Sequence, residues 1–248
     1  MFMLMDESPH DRSRYEAWII PSILYANIGM FILSLLFDPM KMSISLNPLT
    51  FLSPKTQSLL LLGATGTLPI DRFGRWWTLI AANFLHGSIL HIFFNMMAFY
   101  QIAPLIIRQF GGWRMIIIYF VSGVVGFWTS YMAGVSLTIG ASAAICGLMG
   151  AALYYGKRRN DAYGRMIFGA MANWAICLAV FGFLAPGIDN WGHAGGVVAG
   201  AVCAAILGYQ EKSPENRWHR VLGAGCVVVT AGVLIWAVVS GGYLRMQM

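Results

Sequence analysis

A serine and a histidine, the residue types that together make an activated nucleophile, lie in stretches of this chain too apolar for water. Ser142 stands in Gly140-Ala-Ser-Ala-Ala144 and His193 in Asn190-Trp-Gly-His-Ala-Gly-Gly196. A serine hydroxyl attacks a carbonyl carbon only when a base takes its proton, and histidine is the usual base. An ionisable histidine at membrane depth costs roughly 2–3 kcal/mol or more, so such a position is functional by default. His91 and Asn95 are four residues apart and share a helix face. Donors on such a face can hydrogen-bond the oxyanion formed in acyl transfer. No carboxylate falls within the apolar stretches. Asp189 precedes His193 by four residues but lies in a loop, which favours a Ser–His dyad over a triad.

Each residue also has a plainer reading. A lone serine in a membrane helix packs or bonds back to its own backbone. The His91–Asn95 pair can serve as interhelical glue. His10 and His219, in charged flanks, read as structural, and so does His86 when it is taken by itself. The combination carries the argument, because these groups fall at one depth.

The elements that must bring them together are membrane helices. Of 248 residues, 58% are hydrophobic and 10% charged, against about 25% charged in soluble domains. Apolar runs long enough to span a bilayer cover residues 17–37, 84–109, 115–134, 141–156, 166–185, 191–209 and 221–240. The expected fold is therefore an all-α polytopic bundle of seven spans. Its net charge of +6 reads as topology, with no nucleic-acid partner. Arg12 and Arg14 precede the first span, and Arg108 and Arg114 separate the second from the third. Lys157, Arg158, Arg159 and Arg165 follow the fourth, and Lys212, Arg217 and Arg220 follow the sixth. With the N-terminus inside and the C-terminus outside, all of these share the cytoplasmic face. Lys41, Lys55, Arg72 and Arg75, in the long first link, run against the count without reversing it.

This topology sets a depth. Ser142 precedes Lys157 by about fifteen residues, or roughly 22 Å of helix. In a hydrocarbon core about 30 Å thick it lies roughly 10 Å below the outer boundary. His193 opens an inward-running span, and so does the segment from His86 through His91 to Asn95, so all share a band open to the outside.

The first link, residues 38–83, is semi-apolar and carries Trp76-Trp77, which suits the outer interface; its run at Leu59 is too short to cross. Gly196 and Gly200 form a small-xxx-small pair that packs the fourth span against the sixth. Cys146, Cys177, Cys203 and Cys226 lie in separate spans, so neither a disulfide framework nor a metal cluster is expected. Asp6, Glu7, Asp11, Arg12 and Arg14 before the first apolar run argue against a cleavable signal peptide.

These residues resemble the rhomboid family of intramembrane serine proteases. The resemblance runs from about Pro54 to Gly200 and rests on Ser53-Pro-Lys-Thr-Gln-Ser-Leu-Leu-Leu-Leu-Gly63 and Trp76-Trp77. It continues through Phe84-Leu-His-Gly-Ser-Ile-Leu-His-Ile-Phe-Phe-Asn95, Gly140-Ala-Ser142 and Ile188-Asp-Asn-Trp-Gly-His-Ala-Gly-Gly196. It implies a six-helix catalytic core over 17–209, a short cytoplasmic tail over 1–16, and an added helix with its linker over 210–248. It implies Ser142 as nucleophile and His193 as general base. His91, Asn95 and the Ser142 backbone N–H would form the oxyanion hole, with His86 and the loop residue Trp77 supporting the cavity. The reaction implied is cofactor-free hydrolysis, through an acyl-enzyme, of a peptide bond in or near a substrate's transmembrane segment. The chain departs from the family pattern at Ala143, where glycine is usual, and at Cys146, where an aromatic usually packs on the histidine ring. Thr78 stands where arginine usually follows the loop tryptophan. The expected setting is a bacterial inner membrane, with transmembrane proteins as partners. A catalytically inactive relative that binds membrane clients, and a transporter, are the competing readings. The transporter would call for inverted halves and midplane charges, which the sequence lacks.

Overall fold

The computed structural model describes residues 9–38, 52–185 and 187–247, with side chains from Ala17 onward. Lys41 and the run 46–51 of the first link lie outside the described residues, as do the side chains of His10, Arg12 and Arg14. The described chain is helical apart from one antiparallel bridge between Thr65 and Thr138. A long first helix, α1 (Pro9–Leu36), is followed by three short ones, α2 (Thr56–Leu61), α3 (Thr67–Phe73) and α4 (Thr78–Ala81). Six longer helices complete the bundle: α5 (Ile89–Phe110), α6 (Gly112–Met132), α7 (Ser142–Arg159), α8 (Ala162–Leu184), α9 (Asn190–Leu207) and α10 (Arg217–Met246).

Residues Ala17–Leu36 of α1, together with α5, α6, α8, α9 and α10, are long and apolar enough to cross a membrane. This is an integral membrane protein. The fourth expected span is α7, which differs in composition for a physical reason. It sits among α5, α6, α8 and α9, and twelve of its eighteen residues are buried. A helix enclosed by protein needs smallness more than hydrophobicity, because small residues let the neighbouring backbones close on it. A methyl added at Gly150 would strike the Val197 carbonyl, and one at Gly196 the Ala143 carbonyl. The sequence expectation that the fourth span packs on the sixth is what α7 and α9 do.

Two sequence readings are corrected. The second span was expected from Phe84, but α5 starts at Ile89, where Ser88 caps it by accepting from the His91 backbone N–H at 3.2 Å. Residues 82–84 form a separate 3₁₀ turn, and Leu85 is extended. His86 therefore lies in a break ahead of the helix. Arg114, counted as a link charge, is inside α6 and fully buried. Its guanidinium donates to the carbonyls of Ser213, Pro214 and Phe110, and its backbone N–H donates to Glu215 Oε1 at 2.7 Å. Its positive charge is spent on tying the α5–α6 corner to the α9–α10 linker.

That knot holds one end of the seventh long helix. Near it, a methyl at Gly223 would meet the Trp113 ring at 2.8 Å. At the opposite end, a methyl at Gly241 would meet the Leu61 carbonyl at 2.8 Å, and Arg245 donates to the Leu36 carbonyl at 2.6 Å. Between these anchorages α10 leaves a largely apolar cavity of about 290 Å³ against α1 and α6, lined in part by Trp18, Tyr119 and Leu234.

The first link is knitted to the α6–α7 link rather than loose. Thr65 and Thr138 exchange backbone hydrogen bonds of 3.1 and 2.7 Å, and the N–H groups of Thr67 and Leu68 donate to the Val135 and Ser136 carbonyls. Thr78 is fully buried and donates to Thr65 Oγ1 at 2.9 Å or the Arg75 carbonyl at 2.6 Å, while Arg75 donates to the Leu60 carbonyl. The arginine absent from position 78 is thus replaced by a threonine bonded within the loop.

Candidate active site

The α5, α7 and α9 helices run in the same direction through the bundle, alternating with α6, α8 and α10. His91 is the third residue of α5, Ser142 the first of α7 and His193 the fourth of α9. Three helix starts therefore converge at one end of the molecule. Ser142 Oγ lies 2.8 Å from His193 Nε2, within hydrogen-bond distance. Both residues are only partly buried.

The chain approaches Ser142 through Gly140, whose φ is +124° and whose N–H donates to the Ala82 carbonyl at 2.9 Å. A side chain here would be doubly unfavourable. The backbone conformation suits glycine, and an added Cβ would sit 2.9 Å from the His91 ring atoms Nε2 and Cε1 and 3.7 Å from Ser142 Oγ. His91 Nε2 and Ser142 Oγ thus border the same space. The Gly87 N–H donates to His91 Nδ1 at 3.3 Å, which leaves the proton of a neutral ring on Nε2, facing that space. Ser142 opens α7 with no side chain capping it, so its backbone N–H is one of the donors an α-helix leaves unbonded at its start.

Asn95 is buried one turn beyond His91 and donates through Nδ2 to the His91 carbonyl at 2.9 Å. One of its two amide hydrogens is thus used within its own helix. His86 is fully buried and meets the His91 ring edge-on, centroids 5.0 Å apart, with neither of its own ring nitrogens hydrogen-bonded among the described residues. The Trp77 ring lies against Gly63 in the first link. Cys146, one turn after Ser142, is buried and free. The structure therefore brings Ser142, His193, His91 and His86 into one neighbourhood, while Asn95 turns one hydrogen back and Trp77 belongs to the loop.

Sequence reasoning missed the group that ties these parts together. Asp189 caps α9 by accepting the Gly192 N–H on Oδ1 at 2.9 Å. Its Oδ2 accepts from Thr138 Oγ1 at 2.8 Å and from Ser130 Oγ. His193 Nδ1 is buried with no hydrogen-bond partner among the described residues. The available signal was Asp189 three residues ahead of Gly192 at the start of an apolar helix, an N-cap pattern.

The fold and the site together define a class: integral membrane proteins that set a serine against a histidine inside a bundle of helices. The rhomboid domain model matches residues 73–210, more than half of the chain, and the chain belongs to the rhomboid family. It is 34% identical over 179 residues to Rhomboid protease GluP of Bacillus subtilis, covering 72% of this chain and 35% of that relative. It is 28% identical over 230 residues to RHOMBOID-like protein 6, mitochondrial, of Arabidopsis thaliana, covering 84% of this chain and 73% of the relative. Rhomboid-like protease 3 of Toxoplasma gondii is 29% identical over 192 residues, 73% of this chain and 70% of its own length. The chain thus spans about a third of the length of the Bacillus protein.

Proposed function

We propose that this chain is an intramembrane serine endopeptidase. One observation carries the reading: Ser142 Oγ lies 2.8 Å from His193 Nε2 at the starts of two packed helices. In this reading His193 Nε2 accepts the Ser142 proton as Oγ bonds to the scissile carbonyl carbon. The carbonyl oxygen becomes an oxyanion, facing the proton on His91 Nε2, the Ser142 N–H and the remaining Asn95 amide hydrogen. Preorganised donors of this kind are worth about 10²–10³ each in turnover. His193 returns the proton to the departing amine, leaving an acyl-enzyme. Water then attacks the ester, with His193 again taking and returning a proton, and free Ser142 is restored. Asp189 is committed to three other donors, which supports a dyad.

The substrates in this reading are transmembrane proteins cut in or near their spans. The chain lies N-terminus in and C-terminus out, with the helix starts that carry the site toward the outer face. The basic residues Lys157, Arg158 and Arg159 in the last turn of α7 support that orientation. The six-helix core over 17–209 carries the site and 210–248 adds α10. Similarity to a Bacillus protease fits a bacterial cell membrane.

The test is cleavage of a model transmembrane substrate by purified protein in liposomes, comparing the parent with Ser142→Ala and His193→Ala. A fragment made by the parent and lost in both variants is the expected result. Cleavage undiminished in Ser142→Ala would sink the assignment. A parent that cuts none of several substrates would move the reading to a client-binding protein.

A further inference from the structure

The dyad joins two segments distant in sequence, the α6–α7 link with the start of α7 and the start of α9, and something must set their spacing. We propose that Asp189 is the positioning residue of the dyad, acting as a clamp between these segments and not as a third catalytic group. The inference deepens the protease reading and rests on it.

The geometry is specific. Asp189 Oδ1 accepts the N–H of Gly192, the residue immediately before His193. Its Oδ2 accepts the hydroxyl of Thr138, four residues before Ser142, and that of Ser130, near the end of α6. One carboxylate thus touches the helix that holds the base, the link that delivers the nucleophile, and the helix packed against both. The Asp189 carbonyl also accepts the His193 backbone N–H at 3.1 Å. A second set of bonds fixes the link from its far side, through Thr138 to Thr65 and Gly140 to the Ala82 carbonyl. With three donors on its two oxygens, Asp189 is already engaged, and His193 Nδ1 has no hydrogen-bond partner among the described residues. A triad acid would bond Nδ1; this one bonds the frame.

A clamp and a triad acid answer differently to one substitution. Removing the charge of a triad acid while keeping its shape lowers turnover by about 10⁴. Asparagine is as good an N-cap as aspartate. Its carbonyl can keep Gly192, and its amide can donate to a threonine or serine hydroxyl that turns to accept. Asp189→Ala, in contrast, frees both segments, and a misplacement of about 1 Å can cost 10²-fold.

The rate at which a fluorophosphonate labels Ser142 in detergent, normalised to the folded fraction, reads the dyad without substrate binding. Asp189→Asn should label within about tenfold of the parent, because the cap is retained, and Asp189→Ala about 10²-fold more slowly. Thr138→Val should fall between them. A loss of folded protein alone would leave the normalised rate unmoved, so equal rates for the parent and Asp189→Ala would overturn the proposal. A loss as deep in Asp189→Asn as in Asp189→Ala would overturn it in favour of a triad.

A second measurement needs no activity. With the four native cysteines replaced by alanine, the pair Ser142→Cys and His193→Cys should be bridged readily by the short thiol crosslinker dibromobimane with Asp189 or Asp189→Asn and poorly with Asp189→Ala. Equal yields in all three would overturn the clamp. Labelling that persists in Ser142→Ala would instead sink the protease reading, leaving the crosslink yields to decide the clamp.

Discussion

The carbonyl oxygen of Gly147 on α7 lies against Gly200 on α9, where even a methyl group would collide with it. One turn nearer the site, Gly196 faces the Ala143 backbone in the same way. This backbone-to-backbone seam brings α7 and α9 together just below Ser142 and His193, and the Asp189 bonds hold the spacing of the two side chains above it. In lipid there is little hydrophobic drive between helices, so close packing of this kind is the main source of their association.

Gly200→Val should therefore act at a distance. Overpacking typically costs about 1–3 kcal/mol, and here the obstacle is backbone rather than a side chain that could turn away. The expected outcome is a lower melting temperature in detergent together with loss of substrate cleavage. Gly232→Val, at a position on α10 with open space around it, should leave both within error and serves as the control.

Gly140→Ala tests the site more locally. The substitution is strained at φ +124° and pushes a methyl into the space between His91 and Ser142. If that space receives the oxyanion, cleavage per folded molecule should fall by about 10²-fold or more, comparable to losing one oxyanion donor, while the backbone strain separately lowers the melting temperature. His91→Phe, which keeps a ring but no N–H, should reproduce the loss. Full activity in both variants would remove His91 from the oxyanion hole.

The sequence made the spans and the four polar groups legible because each is a local signal: an apolar run, a helix-face spacing, a small-residue pair. The break between Phe84 and Ile89 was not legible, since Leu85 and Ile89 are apolar either way and a window over 84–109 sees one run. Arg114 looked like a link charge because its acceptors lie 99 and 100 residues away, at Ser213 and Pro214. Asp189 reads from the sequence as a loop acid, which it is, and its bonds to Ser130 and Thr138 are hidden for a similar reason, since those residues come near it only in the folded chain. Positions made by contact across the sequence are invisible to periodicity, and here they include the groups that frame the dyad.

Cys146 is the departure most open to test. An aromatic there would conform to the family pattern, but the side chain is buried in a seam of small residues, and close-packed interiors leave little spare volume. Cys146→Tyr should destabilise by about 1–3 kcal/mol through overpacking and should not raise activity. Cys146→Ala should cost less. The check is a melting curve beside the cleavage rate, and a gain in rate with Cys146→Tyr would show that the His193 ring lacks support in the parent.

The Arg114–Glu215 knot lies at the opposite end of the bundle from Ser142, which separates stability from chemistry. Glu215 is buried and its Oε1 accepts the Arg114 backbone N–H at 2.7 Å, so removing the carboxylate strands a buried donor, a loss of about 1–3 kcal/mol. Glu215→Ala should therefore lower the melting temperature and expose the 208–216 linker to limited proteolysis, since that linker is what the knot holds down. The rate of Ser142 labelling per folded molecule should change by only a few-fold, because α7 and α9 keep their own seam. Arg114→Met keeps that N–H but should lower the melting temperature as well, because the Ser213 and Pro214 carbonyls lose the guanidinium that satisfied them. Labelling that collapses in Glu215→Ala while the fold survives would mean that α10 reaches the dyad through the bundle, and that the core and the seventh long helix act as one unit.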